Sequence, residues 1–183
     1  MDFYLIIKLL HVLTATVWVG GGFVFMVAAE VAQRAPGPVY GGFSAVGARL
    51  GNLVFVPAAM LTLLLGIVLT IMSWSFGDLW ILLALVGIAV SMGLGLIVIK
   101  PGSDKIAELA QSEGPDSPRV RDMSAALLHR GRFDLVLMAV IIADMVFKPG
   151  YGDVVILSIM GAVLAAGAVA FLVVKPQPAA VAA

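Results

Sequence analysis

The chain contains no cysteine, which excludes disulfides, thiolate metal sites, iron–sulfur clusters and covalently attached c-type haem, so any cofactor must be held by other groups. Charge is also scarce: 12% of the 183 residues are charged and 62% are hydrophobic, a balance that belongs to membrane proteins rather than to soluble domains. The eleven basic and eleven acidic residues cancel, which excludes a polycation that binds nucleic acid by bulk electrostatics. There is no P-loop, dinucleotide-binding glycine fingerprint, HExxH pair or nucleophile elbow, so phosphoryl transfer and hydrolysis find no machinery. What remains is two histidines, nine methionines and a few acids set among long apolar runs.

Five of those runs approach the roughly 20 residues needed to cross a bilayer. They lie at about 3–29, 52–72, 79–99, 133–147 and 154–174. The N-terminal MDFYLIIK has no positive n-region, and its apolar run outlasts a signal peptide, so it reads as a retained first span. The fourth run is short, but Ser117 followed by Pro118 makes an N-cap and first-turn pair that predicts one helix from Pro118 to Phe147. The runs lack the alternation of barrel strands, and an open sheet in lipid would leave backbone groups unpaired. The fold class is therefore all-α, a single polytopic bundle of five transmembrane helices over residues 1–175, with a mobile tail at 176–183.

Basic residues set the expected orientation. Arg34 and Arg49 lie in the first long connection, Lys100, Lys105, Arg119, Arg121, Arg130 and Arg132 in the second, and Lys175 in the tail, whereas the opposite side has Lys148. The positive-inside rule then puts the N-terminus outside and the C-terminus in the cytoplasm. Pro36, Gly37, Pro38, Gly41 and Gly42 predict an irregular loop between Glu30 and Gly51. The short links at Ser73–Asp78 and Lys148–Asp153 predict antiparallel neighbours, second beside third and fourth beside fifth. Small residues at Gly87, Ser91 and Gly95, and at Gly161 and Ala165, read as packing faces.

The chemistry centres on KLLHVLTATVWVGGG. His11 lies eight residues beyond Phe3, about 12 Å into the membrane, where an ionisable group usually faces the bundle. Lys8, His11, Ala15, Trp18 and Gly22 follow the helix period on one stripe. A neutral imidazole there suits an axial haem ligand, with Trp18 as a flat wall and Gly20 to Gly22 allowing close approach; a histidine hydrogen-bonded to a neighbouring helix is the alternative. Asp144, one helical turn before Lys148, falls in nearly the same layer. It can orient the imidazole, relay protons, or pair with Lys148 at i, i+4.

His129 sits near the opposite face. With a hydrocarbon core about 30 Å thick, it is too far away to share a haem with His11, and an interfacial role is expected. Arg49 can hold a lipid phosphate, hold a propionate, or only define topology. Met72 and Met145 lie near the layer of His11, but the methionines form no copper-binding repeat.

KLLHVLTATVWVGG, followed by GARLGNLVFVPAAMLTLLLGIVLT, resembles a family of bacterial predicted integral membrane proteins known as DUF2269. The first three spans are more distantly similar to the HemJ-type protoporphyrinogen oxidases and to CopD copper-resistance membrane proteins. The elements carrying the resemblance are Lys8, His11, Trp18, Gly21, Arg49, Pro57 and Gly66. The HemJ resemblance implies a haem b with His11 as ligand, Arg49 as a second important position, and oxidation of protoporphyrinogen. The chain departs from that pattern after Trp80, where Ile81, Leu82, Leu83 and Ala84 stand in place of an expected lysine.

The expectation is a multi-pass protein of the bacterial cytoplasmic (inner) membrane that binds haem b for electron transfer or porphyrin chemistry. The alternatives are a cofactor-free accessory subunit of a larger membrane complex or homo-oligomer, and a copper-handling membrane protein.

Overall fold

The computed structural model describes residues 2–34, 46–47, 49–115 and 117–174, and among these every regular element is a helix. The helices are α1 (Phe3–Arg34), α2 (Val56–Ser73), α3 (Leu79–Leu94), α4 (Lys100–Glu113), α5 (Pro118–Phe147) and α6 (Val154–Ala168). Wider five-residue π turns at Gly51–Phe55, Gly95–Ile99 and Val169–Val173 lead into α2, join α3 to α4 and extend α6. Four continuous helical runs are long and apolar enough to cross a membrane: Phe3–Ala32, Gly51–Ser73, Leu79–Glu113 and Val154–Val173. The Pro36 to Gly42 loop and the 176–183 tail lie outside the described residues.

Local signals explain several boundaries. The Ser117 hydroxyl accepts from the Val120 N–H at 3.2 Å and Pro118 occupies the first turn, so α5 starts where its cap requires. It stops before Pro149 at Lys148, whose left-handed backbone (φ 47°) returns its N–H to the Asp144 carbonyl at 2.8 Å. The third run continues past Ile99 despite Pro101: the π turn at Gly95–Ile99, closed by the Lys100 N–H on the Gly95 carbonyl, widens the helix immediately before the proline, which has no N–H to contribute. The chain then reverses at Gly114, whose φ of 89° favours glycine.

α5 is the hub, packed against α1, α3, α4 and α6. It is the least apolar of the long helices because its neighbours shield it from lipid, so Leu137, Met138, Val140 and Asp144 are buried. Its register with the continuous α3–α4 run is antiparallel: Leu127 covers Gly102 of α4, Ile141 covers Gly87 of α3, and Lys148 lies over Trp80 at the start of α3. A Cβ added to Gly87 would come within 2.8 Å of Ile141, and one added to Gly167 within 2.9 Å of Val136, so α3 and α6 clasp α5 from two sides.

The predicted pairing of the fourth run with the fifth is present as α5 on α6. The second and third are joined by a short link, yet α2 packs chiefly on α1 and α3 on α5. Side-chain fit outweighs loop length here, because Gly87 admits Ile141 while Gly66 admits His11. Gly161 and Ala165 face outward, with nothing within 4 Å of the Gly161 position.

Candidate functional site

The predicted stripe of α1 turns toward α2 and α5. Trp18 is 8% exposed and belongs to one buried cluster with Ala58 and Ala59 of α2, Ile88 of α3 and Met138 of α5, a core to which four helices contribute. Seven residues nearer the end of the bundle that is poor in Lys and Arg, called the charge-poor end below, and about 10 Å away by helix rise, lies His11.

His11 Nδ1 donates to the Thr62 carbonyl of α2 at 2.9 Å. The direction follows from chemistry, since a carbonyl can only accept, so Nδ1 carries the proton. Thr62 Oγ1 lies 3.0 Å from Thr14 Oγ1 and 2.8 Å from the Ala58 carbonyl, and Thr14 Oγ1 donates to the His11 carbonyl at 3.0 Å. Gly66 provides the space for the ring: a Cβ there would sit 3.1 Å from His11 Cε1 and 3.5 Å from Nδ1. The imidazole is thereby fixed in orientation and tautomer, with Nε2 left as its lone-pair nitrogen.

The other residues expected at this site are placed around it. Gly21 is filled by Phe55, whose Cε1 would lie 2.8 Å from an added Cβ, whereas Gly20 and Gly22 have nothing within 4 Å. Lys8 is exposed. Arg49 is exposed and precedes the Gly51–Phe55 turn, thirteen residues from Thr62. That separation is roughly 20 Å at helical rise, so Arg49 and His11 do not meet.

Asp144 falls in nearly the layer of His11, because Trp18 and Met138 belong to one buried cluster and the two helices run on from it toward the charge-poor end by seven and six residues. Its carboxylate nevertheless contacts neither His11 nor Lys148: both oxygens are buried without a hydrogen-bond partner. The Lys148 ammonium instead stands 3.9 Å over the Trp74 ring and 5.2 Å from that of Trp80, two indoles that meet edge-on at 5.0 Å.

Three features escaped the sequence reading. Asp134 of α5 has a buried unpartnered Oδ1 and Ser91 of α3 beside it. Arg132 of α5 holds Glu30 of α1 through Nε at 2.8 Å, with a second contact at 2.7 Å. His129, expected at the interface, donates from Nε2 to the Ala170 and Val174 carbonyls at 3.1 Å each and lies edge-on to Phe171. The π turn sends the Val174 N–H to Val169, which frees the Ala170 carbonyl that His129 takes up. Glu30 and Asp134 carried no local motif, and Ser91 stood out only as part of a small-residue packing face; their register across helices brings them into use.

A groove of about 350 Å³ between α5 and α6 is lined by Ala139, Val140, Ala143, Phe147, Ile156, Ile159, Met160 and Val163. It is apolar throughout and suits an acyl chain better than a polar substrate. Among the described residues no three His, Cys, Asp or Glu side chains are grouped to hold a metal ion.

Apolar helices around a hub that carries buried carboxyls define an integral membrane protein with an intramembrane histidine. The family model for DUF2269, predicted integral membrane protein, matches residues 5–149, and the chain belongs to that family. No curated protein and no solved structure matches it.

Proposed function

We propose that the protein is a five-span protein of the bacterial cytoplasmic membrane that uses His11 to ligate haem b, in electron transfer or porphyrin chemistry. The fifth span is α5, whose second half from Phe133 runs antiparallel beside α3. The concentration of Lys and Arg at the opposite end puts the Ser73–Asp78 and Lys148–Asp153 links outside, with the N-terminus outside and the C-terminus in the cytoplasm.

The observation that carries the haem reading is the hydrogen bond from His11 Nδ1 to Thr62. A histidine whose Nδ1–H is held by a carbonyl presents Nε2 to a metal with its lone pair already aimed, the usual support for a ligating imidazole. The donor therefore fits haem iron. Thr62 orients the ring, Gly66 makes room for it, and Thr14 fixes both backbones. Trp18 is committed to core packing and Gly21 is filled by Phe55, so the ring of a haem would rest on the open side of the stripe rather than in the Trp18 seam. Bound haem b supplies one-electron chemistry; the distant HemJ-type resemblance agrees with His11 as the ligand, while the absent lysine after Trp80 argues for a reaction other than protoporphyrinogen oxidation.

Protein purified from haem-replete cells is expected to show a Soret band that His11→Ala removes while leaving the melting profile of the helices within about 1–2 kcal/mol of the parent. A colourless, folded parent protein overturns the reading.

A second reading, a cofactor-free subunit of a larger complex, is favoured by the last helical run, Val154–Val173, which is almost wholly unburied and whose small Gly161–Ala165 face is open. Stoichiometric co-purification of a partner that survives His11→Ala would support it.

A further inference from the structure

Asp144 is 1% exposed, and neither carboxylate oxygen has a partner. An unpaired charge in an apolar interior is among the most costly arrangements a membrane protein can hold, and carboxyls retained there generally carry a proton or cation. The surroundings decide which. Asp144 lies on the α3–α5 seam between two fixed contacts, Ile141 on Gly87 below and Lys148 beside Trp80 above. The α3 residues of that stretch include Ile81 and Ala84, both 3% exposed, which offer no side-chain oxygen.

The charged and titratable groups facing this region are few. α3 and α6 contain none, and the groups in the links that precede them are engaged locally, Asp78 by the Ser75 N–H, Asp153 by the Gly150 N–H and the Tyr151 hydroxyl by the Gly77 carbonyl. α4 packs only near the far end of α5, where Leu127 covers Gly102. α1 contributes His11 and Lys8 at this depth, but the His11 Nδ1 proton is engaged by Thr62 and Lys8 is exposed. On α5 itself, Lys148 is turned onto the Trp74 ring and Asp134 is ten residues away, about 15 Å along the helix. A metal cation would require several converging oxygens, which the site lacks. A cationic side chain of another protein would require an exposed carboxylate, and Asp144 is enclosed.

We propose that Asp144 is a proton-exchanging carboxyl, loaded from and released to the aqueous phase at the charge-poor end through the Lys148–Trp74–Trp80 cap. Lys148 follows Asp144 by one helical turn, a rise of about 6 Å along the backbone. In each cycle the carboxylate oxygen takes a proton from water or buffer and returns it, with no other bond changed. The proposal rests on Asp144 alone and stands whether or not His11 binds haem.

Dicyclohexylcarbodiimide tests it, because this apolar reagent modifies carboxyls that hold a proton in an apolar place. The full chain, in vesicles of uniform orientation, is treated and mapped by mass spectrometry. Asp144 is expected to react at least about tenfold faster than Asp78 and Asp153, whose carboxylates serve backbone N–H groups in exposed turns. Raising the pH on the charge-poor side alone slows the reaction, and exchanging potassium for sodium leaves it unchanged. Asp144→Asn, close in shape, removes the labelled peptide without altering the labelling of Asp78 or Asp153. Failure of Asp144 to react faster than those two overturns the proposal. So does protection by sodium, which would make the ligand a metal cation, or a pH response confined to the opposite side.

Discussion

Gly87→Leu is expected to destabilise the bundle by about 3 kcal/mol, at the upper end for overpacking a fitted core, and to reduce the yield of monodisperse protein sharply. A single added Cβ already falls 2.8 Å from Ile141 Cγ1 and 2.9 Å from Cδ1. Ile141 is β-branched and sits on the hub helix, so it cannot swing aside as a methionine would. The remaining leucine carbons must push α3 away from α5 along the seam that also carries Ser91, Asp134 and Asp144. Gly93→Leu on the same helix is the control: nothing lies within 4 Å of that position, and stability should be unchanged. Melting in detergent, followed by size-exclusion chromatography, distinguishes the two. If Gly87→Leu melts like Gly93→Leu, the α3–α5 contact is not what holds the hub.

Gly66→Leu is expected to cost about 1–3 kcal/mol and, in addition, to disable His11. The position faces His11 Cε1 at 3.1 Å, so any branched side chain displaces the imidazole and breaks its bond to the Thr62 carbonyl. Gly66→Ala should have an intermediate effect, because one methyl at that distance asks the ring to give by only a few tenths of an ångström. The distinguishing readout is spectral and follows from the proposed haem ligation by His11: Gly66→Leu is expected to fold but to lack the Soret band, as His11→Ala is, whereas the control Gly161→Leu, on an open face, is expected to keep it. Retention of a normal Soret band in Gly66→Leu would separate the ligand from the Gly66 space.

The contrast between these two glycines shows what the sequence could disclose. The Pro118–Phe147 helix was legible because Ser117 and Pro118 are local signals, and the membrane class was legible because length and apolarity suffice. The 11–15–18–22 stripe was likewise visible as a period. Which helix each face would meet was not, because that depends on the fit of Gly87 to Ile141 and of Gly66 to His11, residues 54 and 55 positions apart. Lys148 illustrates the same limit. Its spacing from Asp144 matched a helical ion pair, but the helix ends at Lys148 before Pro149, and its left-handed backbone sends the ammonium to Trp74. Asp144 was thus recognisable as an intramembrane acid, whereas its lack of a partner emerged only from the packing.

His11 is held by Thr62 through Nδ1, which leaves Nε2 with its lone pair. Nitrogen-15 spectroscopy of the histidine-labelled protein in bilayers, without added haem, tests it directly, with His129→Gln used to assign the two rings. The expected result is a proton on His11 Nδ1 and an unprotonated Nε2 whose resonance shifts when haem is added. A proton on Nε2 with a bare Nδ1 would contradict both the hydrogen bond and the ligand role drawn from it.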